Sequence, residues 1–416
     1  MDTPASSQHF PPEPLPAARL AAREAARRNE ARARGPCRSG CAQLDDYVLL
    51  GGGLERGCVV GVSAEEEDAF GLVLGLQVLV GALLDDAAAT ALVVTPRPAA
   101  GVLLRALREG IAAEMGARGV DAAQARGRPA ARACLERVRL SCVFDLDGLW
   151  EVLADLDAPG GSPPPASIRA SAAEASAAAA ADRRPARSPV SEIQDSQDEA
   201  SASSPPSPPP PSPPPRRREA DARRPPSVVL VARFSALLTS LFTQREKSAA
   251  HTALQLLGAH LRHLSRSLPS HPLVLLLNST TATPSAGAPP RPPLEPTLRS
   301  VFHPPPLPGC AAPAPALRGD KPSFGLVFAQ LLDLHLLCAR VPRAKDDAAA
   351  VTRPAAAAAP RYVTVVEVLL DDMGLWQGGT GHWLRREQRW AAVDVVGGRV
   401  VDGFARPQGA SPELRL

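Results

Sequence analysis

Aromatic residues are scarce in this chain: tyrosine occurs 2 times in 416 residues and aromatic side chains make up 4% of it. A folded core must therefore be built from aliphatic residues. Other absences exclude whole classes. No run of about 18 uninterrupted apolar residues occurs, which argues against a membrane-spanning helix. The opening MDTPASSQHFPPEPLP is neither a basic-then-apolar signal peptide nor an Arg/Ser-rich, acid-free transit peptide. A Gly-x-Ser-x-Gly elbow is missing, which removes the usual sequence argument for Ser–His–Asp catalysis. The 7 cysteines are odd in number and scattered, the pattern of a reducing compartment and not of a disulfide scaffold. Cys37 and Cys41 are followed by no second Cys or His pair at zinc spacing, so free thiols near a turn are expected. The net charge of +3 is too weak to imply nucleic acid by itself; any basic signal has to be local. No internal repeat is visible.

What is abundant is proline, at 46 residues, together with alanine and serine tracts. Such tracts cannot bury enough apolar surface to offset the entropy of ordering. Roughly 250–300 residues remain that can fold, ample for one large α/β domain. The expected organisation is a disordered and basic helical segment over 1–38, a first part of the core over 39–157, and a disordered insertion over 158–226. A second part of the core covers 227–404, with a Pro-rich loop at 280–320, and a flexible tail covers 405–416. In the helix expected over 17–34, arginines lie around most of the circumference. A solvated basic helix is the plain reading, and a nucleic-acid or nuclear-import patch the functional one. The insertion holds Ser188, Ser204, Ser207 and Ser212 before prolines, open to proline-directed phosphorylation. Ser196-Gln197 is a Ser-Gln dipeptide of the kind that DNA-damage kinases modify.

Short aliphatic runs predict strands at 58–62, 90–95, 138–144, 227–231, 273–277 and 362–370. Helical spacing predicts helices at 69–84, around 102–108, at 147–156, 235–242 and 248–267. Residues 389–402 read as a closing hairpin around a Gly-Gly turn. The alternation at 324–341 fits one or two strands, or a strand–helix transition. This order of strands and helices predicts an α/β fold with a mostly parallel, doubly wound sheet.

The stretch from Gly40 to Val80 organises the rest. It runs from a short helix through a glycine turn and a strand to a loop and a long apolar helix, the local architecture of a P-loop. GCAQLDDYVLLGGGLERGCVVGV resembles the lead-in to the core of RecA-like recombinases, in the version of the eukaryotic DNA-repair recombinase and its paralogues. Residues 228–238 look like that family's second nucleotide strand. LVLLLNST looks like the strand ending in its sensor Asn, here Asn278. KPSFG at 321–325 is similar to the turn after its second DNA-binding loop. The resemblance spans most of 39–404, with two insertions. It implies a RecA-like P-loop NTPase fold, a role in homologous recombination or DNA repair, and a nuclear location. It also implies hetero-oligomers with the recombinase or its paralogues, and DNA as a possible partner. Two RecA-like subunits of the Elongator tRNA-modification complex, which lack a P-loop signature, share the Leu-Asp and glycine features. A structural subunit of such a ring is the alternative.

A working P-loop needs glycines, a Lys for the β/γ oxygens and a Ser/Thr for Mg²⁺. The resemblance puts those positions at 64–71: Ala64 and Ala69 for the glycines, Phe70 for the lysine, Gly71 for the hydroxyl. Between them stand Glu65, Glu66, Glu67 and Asp68. A triphosphate there meets like charge at a cost of about 1 kcal/mol per close pair in water and up to about 4 at an effective dielectric of 20. Millimolar binding is worth only about 4 kcal/mol in total. The Mg²⁺-holding Asp of the family corresponds to Ala232, and the glutamate that orients water to Pro96. No cofactor is expected, ATP with Mg²⁺ entering only by family analogy, and the site reads as a pseudo-ATPase with no catalytic residue. An acidic run that held a metal by itself would be the only route back to an enzyme. DNA contact would fall on Arg245 and Lys247 and on Arg291 and Arg299. His260 and His263 have ligand spacing but no third ligand in view, so no metal site is assigned. Trp150 reads as core packing.

Overall fold

The computed structural model describes residues 16–65, 70–119, 129–157, 224–281, 300–302, 321–352, 359–372 and 389–404. These fall within a compact unit formed by residues 1–157 and 224–416; the second unit, 158–223, lies outside the described residues. So do the 405–416 tail and the 280–320 loop apart from 280–281 and 300–302.

The strands are β1 (Val59–Ala64), β2 (Ala91–Pro96), β3 (Val138–Val143), β4 (Val228–Val231), β5 (Leu273–Thr281), β6 (Lys321–Pro322), β7 (Leu334–Pro342), β8 (Tyr362–Asp371), β9 (Trp390–Val396) and β10 (Arg399–Asp402). The helices are α1 (Ala17–Ala33), α2 (Leu72–Asp85), α3 (Ala100–Ala117), α4 (Pro129–Glu136), α5 (Leu146–Asp157), α6 (Phe234–Gln244), α7 (Lys247–Ser267), α8 (Gly325–Ala329) and α9 (Lys345–Thr352). The strands form one sheet in the order β10-β9-β8-β7-β1-β5-β4-β2-β3, with β6 added at the end of β5. From β3 to β7 every neighbouring pair is parallel; from β7 to β10 every pair is antiparallel.

Aliphatic runs such as VVLV and LVLLL become the central strands because parallel strands are covered on both faces and need apolar residues at every position. All of Val228–Val231 is buried. One face of the sheet packs against α2, α3 and α4, through Val60, Val62, Leu76, Leu79 and Ile111. The other packs against α5, α6, α7 and α8, through Val59, Leu149, Leu237, Leu257 and Phe328. Each such side chain contributes about 1.5–3 kcal/mol on burial, and this aliphatic packing does what the missing aromatics do not. The ambiguous stretch 324–341 resolves into the short helix α8 followed by β7. The Gly-Gly hairpin forms as read, with Gly397 and Gly398 at φ 59° and 79°.

The lead-in turn is held by one carboxylate. Asp45 Oδ1 accepts from Ser39 N at 2.9 Å and Oδ2 from Gly40 N at 3.1 Å. Gly40 sits at φ +75°, where a glycine avoids the steric cost of a side chain. Burial pushes the Asp45 carboxyl up, while the two backbone N–H groups pull it down. Leu44 beside it is buried in the core. The Leu-Asp pair is thus one apolar anchor and one turn clamp.

Candidate functional site

β1 leaves the middle of the sheet between β5 and β7, so the residues after it stand at the carboxyl edge, where ligands of doubly wound sheets are bound. Ala64 ends the strand and Glu65 follows it; Glu66, Glu67, Asp68 and Ala69 lie outside the described residues. The chain is described again at Phe70 and Gly71, which lead into α2. A Cβ built on Gly71 would lie 3.4 Å from the Cβ of Ala64. A side chain added at Gly71 would therefore touch Ala64. Phe70, at the position that the resemblance gives to lysine, packs as a half-buried side chain against the core on the α2 face.

The ends of β4 and β2 carry no carboxylate. Ala232, after β4, is buried and donates its N–H to Val94 O at 2.9 Å. Pro96 ends β2. Between them opens a cavity of 180 Å³ lined among others by Leu72, Thr95, Val102, Leu103, Ala232 and Arg233. Its walls are largely aliphatic.

Asn278 is fully buried on β5. Its Nδ2 donates to Ser63 Oγ and to Ser323 O, each at 3.0 Å. Ser63 Oγ also lies 2.9 Å from His335 Nε2. The hydroxyl thus lies within hydrogen-bond distance of both side chains, and the donor in the Ser63–His335 pair is set by the ring tautomer. The relay Asn278–Ser63–His335 crosses β5, β1 and β7, and Ser279 Oγ adds a 2.8 Å contact to Ser323 Oγ. Asn278 thereby fixes the KPSFG turn to the sheet. Sequence reading missed Ser63 and His335. The available signal was a polar residue within each aliphatic run, but which runs are neighbours is a non-local fact.

The DNA-contact candidates have different fates. Arg245 is ion-paired with Asp147 at the start of α5, so its charge is already countered. Lys247 is exposed at the first position of α7. Arg291 and Arg299 lie outside the described residues. His260 and His263 both face Asp157, at 3.4 and 3.6 Å, and Trp150 stacks on His260 at 4.8 Å between centroids. Burial holds the His260 imidazole below its ordinary value against the pull of Asp157. This joins α5 to α7, and among the described residues no group of three or more potential metal ligands occurs. Cys37 and Cys41 are buried free thiols, pushed by burial up to about 11 and about 12.

A mostly parallel sheet with helices on both faces, the strand–loop–helix unit at its centre and an antiparallel continuation is a doubly wound α/β fold. No protein-family profile and no curated protein matches the chain. Among solved structures the chain is similar to the crystal structure of the RadB recombinase, at 13% identity and a TM-score of 0.42, over 88% of this chain and 99% of that one. No helix among the described residues is long and apolar enough to cross a membrane.

Proposed function

We propose that this chain is a nucleotide-independent member of the RecA-like proteins that serve homologous recombination and DNA repair, a divergent paralogue of the eukaryotic recombinase. It acts by binding other paralogues, the recombinase or DNA, in the nucleus and within hetero-oligomers. The observation that carries this reading is the state of the phosphate loop. Phe70, at the position given to lysine, is half-buried against the core, and a side chain added at Gly71 would touch Ala64. These residues do not fit a magnesium nucleotide: no ammonium is available for phosphate, no hydroxyl at Gly71 for the metal, and no carboxylate at Pro96 or Ala232. A fold kept without its phosphate chemistry has its surfaces left for function. The recombination assignment rests on the lead-in turn at Gly40–Asp45, on Asn278 and on KPSFG, as stretches that resemble that family.

Titration with a fluorescent ATP analogue and Mg²⁺ tests the first half. No saturable binding is expected below about millimolar; micromolar binding that is lost on replacing 64–71 would sink it. Affinity purification under DNA damage tests the second. Recombination paralogues are the expected partners, and recovery of tRNA-modification subunits would favour the Elongator-type alternative.

A further inference from the structure

Residues 17–38 hold seven arginines and two glutamates, a local charge of +5, whereas the whole chain carries +3. The remainder of the protein is thus net acidic by two charges, and this segment holds a local concentration of positive charge. The structure shows it as a built surface. α1 is almost wholly exposed, with Ala31 buried beneath it. It is tied to the amino edge of the sheet, the end opposite the dismantled phosphate loop. Arg27 Nη1 reaches Gly57 O at 3.5 Å, and His271 Nε2 lies 3.3 Å from Glu30 Oε2. Arg56 Nε donates to Gly35 O at 3.1 Å. Gly57 and His271 lie just before β1 and β5.

Two of the arginines are used internally, Arg27 and Arg28, both paired with Glu24. Arg19, Arg23, Arg32, Arg34 and Arg38 make no ion pair among the described residues. Helix stability does not account for all of them. Arg32 and Arg34 complement the carboxyl end of the helix dipole, but the first turn has no acidic residue, and Arg19 stands there against the dipole. Arg19 and Arg23, like Arg28 and Arg32, are i,i+4 pairs of like charge, which oppose helix formation. An anionic partner removes both conflicts. Arg19 and Arg34 are separated by about 22 Å along a helix axis, the length of about six base pairs of duplex.

We propose that α1 and the arginines after it form a contact surface for the phosphate backbone of duplex DNA, at the amino edge of the sheet. The chemistry is sequence-independent phosphate neutralisation. Five free arginines predict a salt slope of about −4.5, so raising salt from 50 to 100 mM weakens binding about 20-fold. This surface is separate from the phosphate-loop region, and the proposal does not rest on the reading of that loop.

The test is fluorescence anisotropy of a labelled DNA duplex of about 30 base pairs with the full chain, over 50–200 mM NaCl. The variant carrying Arg19→Ala, Arg23→Ala, Arg32→Ala and Arg34→Ala keeps Arg27, Arg28 and the anchors, and alanine favours the helix. It is expected to lose about three to four units of slope and most of the affinity at 50 mM. Lys247→Ala is expected to change the slope by no more than about one unit. Binding that survives the α1 variant but is lost with Lys247→Ala overturns the proposal, and so does an absence of DNA binding at 50 mM salt. Stronger binding to an RNA duplex of the same length overturns the assignment to DNA. Hydrogen exchange on the unmodified chain supplies an independent reading: DNA is expected to protect the amides of 17–34, and unchanged exchange there counts against the contact.

Discussion

Gly51, Gly52 and Gly53 look interchangeable in the sequence, and their backbones show that they are not. Gly53 has φ +145°, and a Cβ there would lie 2.7 Å from Cys37 O, a backbone atom that is itself paired with Leu54 N. Gly51 is free of both constraints, its nearest neighbour to a built Cβ being Leu49 O at 3.8 Å. Gly53→Ala is expected to lower stability by about 1–3 kcal/mol. Gly51→Ala is expected to be neutral or stabilising, within about 1 kcal/mol, through the unfolded chain. Urea denaturation midpoints of the two variants check this. At the same scale, Phe70 and Asn278 illustrate two outcomes for positions to which the resemblance gives a nucleotide role. One packs half-buried against the core, and the other holds the Ser323 carbonyl and the Ser63 hydroxyl. Phe70 was legible as a wrong residue for phosphate, because aromatic rings do not neutralise phosphate. The relay from Asn278 to His335 was not legible, because it is made across strands distant in sequence.

Among the elements, α1 carries ion pairs within its own helix, from Glu24 to Arg27 and Arg28. Arg27 first, then Arg28, holds the Glu24 carboxyl down at about 2, from an ordinary 4.5, with burial opposing. A depressed carboxylate contributes stability that is present above the unfolded value and lost as pH falls through the folded one. The contribution of Glu24 is therefore full above about pH 4.5 and disappears toward pH 2. Glu24 is 39% exposed at its side chain, so solvent screens the pair and the effect is modest. Thermal unfolding of the parent and of Glu24→Gln across pH 2–6 should show a difference in Tm above pH 4.5 that closes as the pH approaches 2. A difference that stays constant over that range would assign the effect of the substitution to packing. The other exposed candidates behave differently: Arg245 is engaged by Asp147, while Lys247 stands exposed.

For the whole molecule, the two aliphatic clusters on the faces of the sheet draw on residues from both sides of 158–223. α5 runs back from the carboxyl end of β3 to the amino edge, where β4 begins, and one strand separates β3 from β4. Strand spacing puts β3 and β4 about 10 Å apart, well within reach of a flexible linker of about 12 residues. Replacing 160–222 with such a Gly/Ser linker is expected to leave the thermal midpoint of the core unchanged within about 2–4 °C, a shift worth no more than about 1 kcal/mol. A larger loss would assign part of the core's stability to the replaced segment.

Local sequence carried the α/β class and most of the strands and helices, though not the helices at Pro129–Glu136 and Lys345–Thr352. What it carried is written in runs of aliphatic residues and in single side chains. Only the tertiary structure decided which strands are neighbours, that β7 turns the sheet from parallel to antiparallel, and that Ser63, Asn278 and His335 meet. It also decided that α1 rests on the amino edge, away from the carboxyl edge where β1 ends. The physical reason is that pairing between strands far apart in sequence is selected by the burial of both sheet faces at once, and no local window contains that term.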